Sequence, residues 1–201
     1  FRSLYVYSHL LMSLATNNGL YATNATPLEF WSHWEEKFAS EKEEKKYQKK
    51  LGKLRNTKLA VAQKDALFGD RFKYVRSYFD ALEQEKIEPT TQDVFLYGMC
   101  SPERLLDLVF SYMVFDAGVK KIARYQQFFV VKKTMDRIST IENGKRKGGV
   151  IWHTQGSGKS LTMVMLAQAI ALNKDIKNPK IVLVTDRIDL DDQITSTFTK
   201  C

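Results

Sequence analysis

The stretch Gly148-Gly149-Val150-Ile151-Trp152-His153-Thr154-Gln155-Gly156-Ser157-Gly158-Lys159-Ser160 constrains this chain more than any other. An apolar, β-type run feeds a small glycine-rich loop. The loop ends in Gly-Lys-Ser and opens into a helix-forming run over residues 161–172. Strand, Gly-rich loop, Lys, hydroxyl, helix is the order in which proteins grip a nucleotide triphosphate. Gly156 and Gly158 can adopt positive φ and let backbone N–H groups approach phosphate oxygens without a Cβ in the way. The following helix turns its partial positive end toward the same anion. Lys159 can bridge the β and γ phosphates, and Ser160 can offer a hydroxyl oxygen to Mg²⁺, a hard cation that prefers oxygen. A chance Gly-Lys-Ser loop is the bland alternative, and the strand and helix on either side speak against it. His153 stands where the strict pattern has glycine and reads as a loop-packing residue rather than a ligand or base.

The rest of the chain narrows the partners. With 201 residues there is room for one large or two small cores. A hydrophobic share of 44% beside 27% charged residues reads as globular. The net charge of +8 calls for an acidic partner, and nucleic acid is the commonest one. Cys100 and Cys201 form no framework and no CxxC pair, which fits a reducing, cytoplasmic setting. No apolar run reaches the length of a membrane span. Phe1 and Cys201 read as interior positions of a longer protein, so a fragment is expected.

Along the chain, residues 4–14 read as one or two strands. Asn17-Asn18-Gly19 is a turn, and residues 20–23 are its returning strand. Pro27 opens a short helix whose stripe is Phe30, Trp34 and Phe38. Residues 41–58 are a charge run, read as a solvated helix or a mobile loop in preference to a DNA-facing arm, with Glu41 and Lys45 at helical pairing distance. Phe68, Phe72, Val75, Phe79 and Leu82 repeat at helical spacing, and this stripe reads as core rather than as a stacking platform for single strands. Ser101-Pro102-Glu103 starts a helix with Leu105, Val109 and Tyr112 inward, ending at Phe115-Asp116-Ala117-Gly118. Residues 120–135 read as a helix carrying Gln127, and Asn143-Gly144 with Lys145, Arg146 and Lys147 as a basic turn. Residues 181–184 form an apolar strand of the buried parallel type, with Asp186 and Arg187 at its end and a helix over 189–197. Strand–helix–strand–helix is the start of a doubly wound parallel sheet, an α/β class.

Three blocks together resemble one family. They are Pro102-Glu103-Arg104-Leu105-Leu106-Asp107 with residues 114–115 and 120–127, then residues 149–160, then Val184-Thr185-Asp186-Arg187 through Gln193. Their order and spacing are similar to the restriction (motor) subunit of type I restriction–modification enzymes, and the non-glycine at position 153 is the form common in superfamily-2 helicases and translocases. The clear resemblance covers about residues 101–193, and the Lys-rich insert near 40–65 matches nothing. It implies residues 1–27 as the end of a nuclease domain, 28–117 as a mainly helical linker, and 118–201 as the first part of a RecA-like motor domain. It implies ATP and Mg²⁺ as cofactors, with Gly156, Ser157, Gly158, Lys159 and Ser160 on the phosphates and Ser160 on the metal. Gln127 falls where such motors read adenine, since an amide matches the N6 and N7 edge with one donor and one acceptor; a solvated helical glutamine is the alternative. Arg187 falls near the DNA track, with pairing to Asp186 as the alternative. The implied partners are double-stranded DNA, a methyltransferase subunit and a DNA-specificity subunit.

The resemblance places the nuclease carboxylates before Phe1 and the water-activating acid and arginine finger after Cys201. The whole protein would be an ATP-dependent type I site-specific deoxyribonuclease, and this segment alone is expected to turn over neither ATP nor DNA. It is also expected to be poorly soluble or to self-associate, because an incomplete parallel sheet leaves bare edges. A superfamily-2 helicase without a nuclease, and a non-catalytic binding remnant, remain the competing readings.

Overall fold

Asn17 and its neighbours mark a hairpin, one step earlier than the sequence signal suggests. In the computed structural model, which describes residues 2–201, β1 (Leu11–Ala15) pairs antiparallel with β2 (Asn18–Ala22). Ala15 faces Asn18, so the turn is Thr16-Asn17 and Gly19 lies within the strand. Packing explains the shift. A Cβ on Gly19 would stand 2.5 Å from the Phe95 ring, so the glycine is there for close approach. Upstream, Arg2–Tyr5 is a 3₁₀ turn rather than a strand.

The expected helix after Pro27 is only a 3₁₀ turn, Leu28–Phe30. Ser32 explains the interruption: its backbone exchanges hydrogen bonds of 2.9 and 3.0 Å with Tyr21, which draws the chain onto the β2 edge. Phe30 is therefore exposed while Trp34 is buried, and the two share no helical face. The charge run is a solvated helix, α1 (Glu41–Arg55). Ser40 caps it by accepting from the Glu43 N–H, and acids occupy its first turn with Lys53 and Arg55 in its last. Glu41 and Lys45 pair at 3.7 Å, both largely exposed, a contribution of about 0.3–0.5 kcal/mol.

The aromatic stripe is split. α2 (Val61–Phe68) stops at Gly69, whose φ of +46° ends the helix, and α3 (Lys73–Leu82) begins after Phe72. The two helices pack on each other through Phe68 and Phe79, 5.3 Å between ring centres, and no residue of either is fully buried. Lys64 ties them by donating to Asp80 at 2.5 Å and Glu83 at 2.7 Å. α4 (Thr91–Cys100) opens with a capping box between Thr90 and Asp93, and α5 (Pro102–Ser111) has Pro at its first position as expected. Leu108 within it and Tyr112 just after it are buried, with Leu105 and Val109 half-buried.

The segment after α5 does not pass straight into a helix. β3 (Met113–Asp116) and β4 (Val119–Ile122) form a second hairpin about Ala117 and Gly118, at φ of 51° and 78°. Both turn residues at positive φ make a two-residue turn compatible with strand twist. α6 (Tyr125–Ser139) begins only after it. The basic turn is a third, short hairpin, β5 (Ile141–Glu142) and β6 (Lys145–Arg146), around Asn143 and Gly144 at φ of 52° and 74°. α7 (Lys159–Leu172) and α8 (Ile188–Lys200) complete the chain.

The architecture is mixed α/β, but its three sheets are all two-stranded and antiparallel. Among the described residues there is no parallel sheet. Residues 149–152 and 181–184, read as strands from their composition, enter no ladder. A hairpin carries its own partner across a short turn, whereas a parallel strand needs a neighbour delivered by a crossover and cover on both faces.

One core joins the first two hairpins with α4, α5, α6 and α7. Tyr21 meets Trp34 and Phe95 edge-on, each at 5.9 Å, and Phe128 meets Trp34 at 5.5 Å and Tyr112 at 4.4 Å. Such pairs add about 0.5–1.5 kcal/mol each beyond their buried area. The Arg104 guanidinium lies 4.6 Å over Phe128 and pairs with the buried Glu36 at 3.1 Å. The Tyr21 hydroxyl donates to the Ala123 carbonyl at 2.8 Å, and burial pushes its phenol well above the ordinary range, so it stays a neutral donor. Thr23 donates to the Lys120 carbonyl at 2.5 Å. The β1–β2 hairpin is thereby bound to the approach to α6.

Candidate functional site

The glycine-rich loop takes the form its sequence demands. Gly156 has φ of +75° and Gly158, the N-cap of α7, has φ of +84° and ψ of 36°. Neither conformation suits a residue with a Cβ. The requirement differs between them. A Cβ on Gly156 would meet open space, so conformation alone demands glycine; a Cβ on Gly158 would also stand 2.7 Å from Gln127 Nε2. The N-terminus of α7, with its free N–H groups, follows at once, and Lys159 and Ser160 are its first two residues.

Inside the loop, the Ser157 hydroxyl donates to the Thr154 carbonyl at 2.7 Å and lies 3.2 Å from His153 Nδ1. With that hydroxyl proton committed, the serine oxygen can accept from Nδ1 when that nitrogen carries a proton. Nε2 is buried without a hydrogen-bond partner. His153 thus braces the loop across its width. Lys159 is exposed and donates to the His153 carbonyl at 3.2 Å, a contact that a stronger acceptor can replace. Ser160 is half-buried. Among the described residues no group of three or more His, Cys, Asp or Glu could hold a metal by itself. A single hydroxyl beside a phosphate cradle suits Mg²⁺, which takes few protein ligands and fills its octahedron with phosphate oxygens and water.

Gln127 is 3% exposed, not a solvated helical glutamine. Its Oε1 accepts from the Arg124 N–H at 2.8 Å, and its Nε2 donates to the Gly158 carbonyl at 3.0 Å. One amide therefore ties the start of α6 to the end of the loop, which sequence separation hid. It keeps one N–H and one lone pair. Gln127 and the loop glycines line a pocket of about 340 Å³, joined by Pro27, Phe30 and Ile122. No sequence signal pointed to those three, because only tertiary structure brings residues 27–30 to residues 156–158. Arg187, the N-cap of α8, stands apart from this site on an exposed surface. Among the described residues it forms no salt bridge with Asp186 or any other carboxylate. Thr185 donates to Asp191 at 3.3 Å in the same turn.

A glycine loop with two positive-φ residues at a helix N-terminus presents backbone N–H groups and a dipole suited to an anion. The SWI2/SNF2 ATPase family model matches residues 126–201, the part that holds the loop. Among curated proteins, the type I restriction enzyme HindI endonuclease subunit of Haemophilus influenzae is 40% identical over 136 residues, 64% of this chain and 12% of the relative. The MjaIXP endonuclease subunit of Methanocaldococcus jannaschii, a provisionally named type I restriction enzyme subunit, is 35% identical over 62% of this chain and 12% of its own. The SauCOLORF180P type I endonuclease subunit of Staphylococcus aureus is 30% identical over 55% of this chain and 11% of its own. The chain is thus similar to type I restriction enzyme endonuclease subunits, and it spans about 12% of the length of the first two of these relatives. No solved structure matches it significantly. Among the described residues no helix is long and apolar enough to cross a membrane.

Proposed function

We propose that this chain carries the ATP-binding part of a type I restriction enzyme endonuclease subunit. The observation that carries this reading is the loop itself: Gly156 and Gly158 at positive φ, with Lys159 and Ser160 opening α7. The loop N–H groups and the α7 terminus hold the phosphates, and Lys159 exchanges the His153 carbonyl for phosphate oxygen. Ser160 adds one oxygen to Mg²⁺, which when bound offsets the charge of the phosphates. Gln127 meets adenine with its remaining N–H and lone pair. Arg187 touches the DNA track.

In the whole protein, residues 149–152 and 181–184 would enter a doubly wound, RecA-like parallel sheet. Residues 1–27 would close a nuclease domain, 28–117 form the linker, and 118–201 begin the motor. That protein would couple ATP hydrolysis to movement along double-stranded DNA and to its cleavage, in the cytoplasm, beside methyltransferase and specificity subunits.

Titration of the chain with a fluorescent ATP analogue and Mg²⁺ tests the nucleotide step. Lys159→Ala should weaken binding by about 10- to 150-fold, the worth of a charged hydrogen bond to phosphate. Unchanged affinity in that variant would sink the reading.

A further inference from the structure

The glycine loop supplies only part of the lining of the 340 Å³ pocket beside it; Pro27, Phe30 and Ile122 line the same pocket together with Gln127 and residues 156–158. The volume sits at the small end of the range for ligand sites. The lining is mostly apolar, with Ser157 and Gln127 supplying polar groups beside the loop and Lys121 and Arg124 adding two cations. A nucleotide combines the matching chemistries, an anionic tail and a flat aromatic head. The loop suits the tail, and the adjoining pocket suits the head.

Phe30 is the informative residue. It is 55% exposed, yet its backbone is held. The Leu28–Phe30 turn sits between the Ser32–Tyr21 backbone pair and the Trp31 indole, which donates to the Thr26 carbonyl at 3.2 Å. An aromatic ring fixed at its root and left bare at a pocket wall is suited to stacking. We propose that this pocket takes the base and sugar of the nucleotide and that Phe30 stacks on the base. The inference rests on the phosphate-loop reading and extends it: residues 25–32, outside the segment matched by the ATPase family, finish the nucleotide site. Nucleotide occupancy would then bind the β1–β2 hairpin end of the molecule to the loop.

The test compares Mg-ATP with inorganic tripolyphosphate, which has the tail and no head, as competing ligands for the chain. Removing one stacked ring weakens base binding by about 5- to 150-fold. Phe30→Ala should therefore weaken ATP by about tenfold or more and leave tripolyphosphate unchanged, while Phe30→Trp retains ATP. Lys159→Ala should weaken both ligands. Loss of both ligands in Phe30→Ala, or of neither, overturns the base pocket. Equal affinity of the unaltered chain for ATP and tripolyphosphate overturns it as well while leaving the phosphate loop standing. Indifference of both ligands to Lys159→Ala removes the phosphate-loop reading instead. An independent check needs no variant: photolysis with 8-azido-ATP should label the tryptic peptide 3–37, and labelling confined to other peptides contradicts the proposal.

Discussion

The β3–β4 hairpin and the run at residues 181–184 are both short and rich in Val, Ile, Leu or Met, yet they end in opposite states. Met113 and Val114 are buried, and every residue of the hairpin faces a ladder partner. Val184 is 89% exposed and pairs with nothing; Val150 and Trp152 before the phosphate loop are 92% and 90% exposed. Apolar content alone does not make a strand. The hairpin closes its ladder across two turn residues at positive φ, a contact of very short range. The other two runs are separated from each other by α7 and a loop, and each needs neighbours on its flanks before burial can offset the cost of ordering.

That contrast can be broken by substitution. The largest effect is expected at Phe128, which is fully buried between Trp34 and Tyr112. Phe128→Ala should cost about 3–5 kcal/mol in denaturant unfolding, whereas Trp152→Ala should stay within about 0.5 kcal/mol. A comparable loss from Trp152→Ala would mean that the run before the loop is buried in solution, and the contrast would be gone.

A smaller effect is expected where the first hairpin meets α4. Gly19→Ala would place a methyl group against the Phe95 ring, costing about 1–3 kcal/mol of stability by overpacking. Rescue by Phe95→Leu in the same background would show that the ring, and not strand propensity, demands the glycine. Additive losses in the double variant would refute that.

The smallest effect concerns α2 and α3, which lie outside the aromatic core. Hydrogen bonds from Lys64 hold the Asp80 and Glu83 carboxyls below their ordinary values of 3.8 and 4.5. Because the folded values are depressed, their stabilising share is present above the ordinary carboxylate range and is lost as pH falls through the folded values. The Lys64 amine is raised by the same contacts, so at the alkaline end the clamp is lost only as pH rises through the folded amine value, above the ordinary 10.5. Hydrogen-exchange protection factors of α2 and α3 amides should therefore fall in acid before those of α6, modestly, since Asp80 is half exposed. Lys64→Met should remove the difference, and a pH-independent exchange ratio in the unaltered chain would rule the clamp out.

The sequence was most legible where the determinants are local. The glycine loop, the Pro102 start of α5, the exposed charged face of α1 and the Asn143-Gly144 turn follow from neighbours a few residues apart, whereas the capping box that opens α4 was not read from the sequence. The second hairpin was missed because Ala117 does not advertise a positive φ, and the helix after Pro27 because a backbone pair with distant Tyr21 overrides it. The Phe68-to-Leu82 periodicity was real but interrupted by Gly69, which adopts φ of +46°.

By itself, then, the sequence determined the chemistry of the loop: which residues can lie at positive φ, which helix follows, and which amine and hydroxyl stand at its start. Tertiary structure decided what surrounds it. It placed Gln127 on the Gly158 carbonyl, brought Pro27 and Phe30 into the lining of the pocket beside the loop, and left two apolar runs without ladder partners. The physical reason is range. Turn and cap preferences are fixed by torsions and bonds within a few residues, while pocket walls and sheet ladders depend on which distant segments can meet and be buried together.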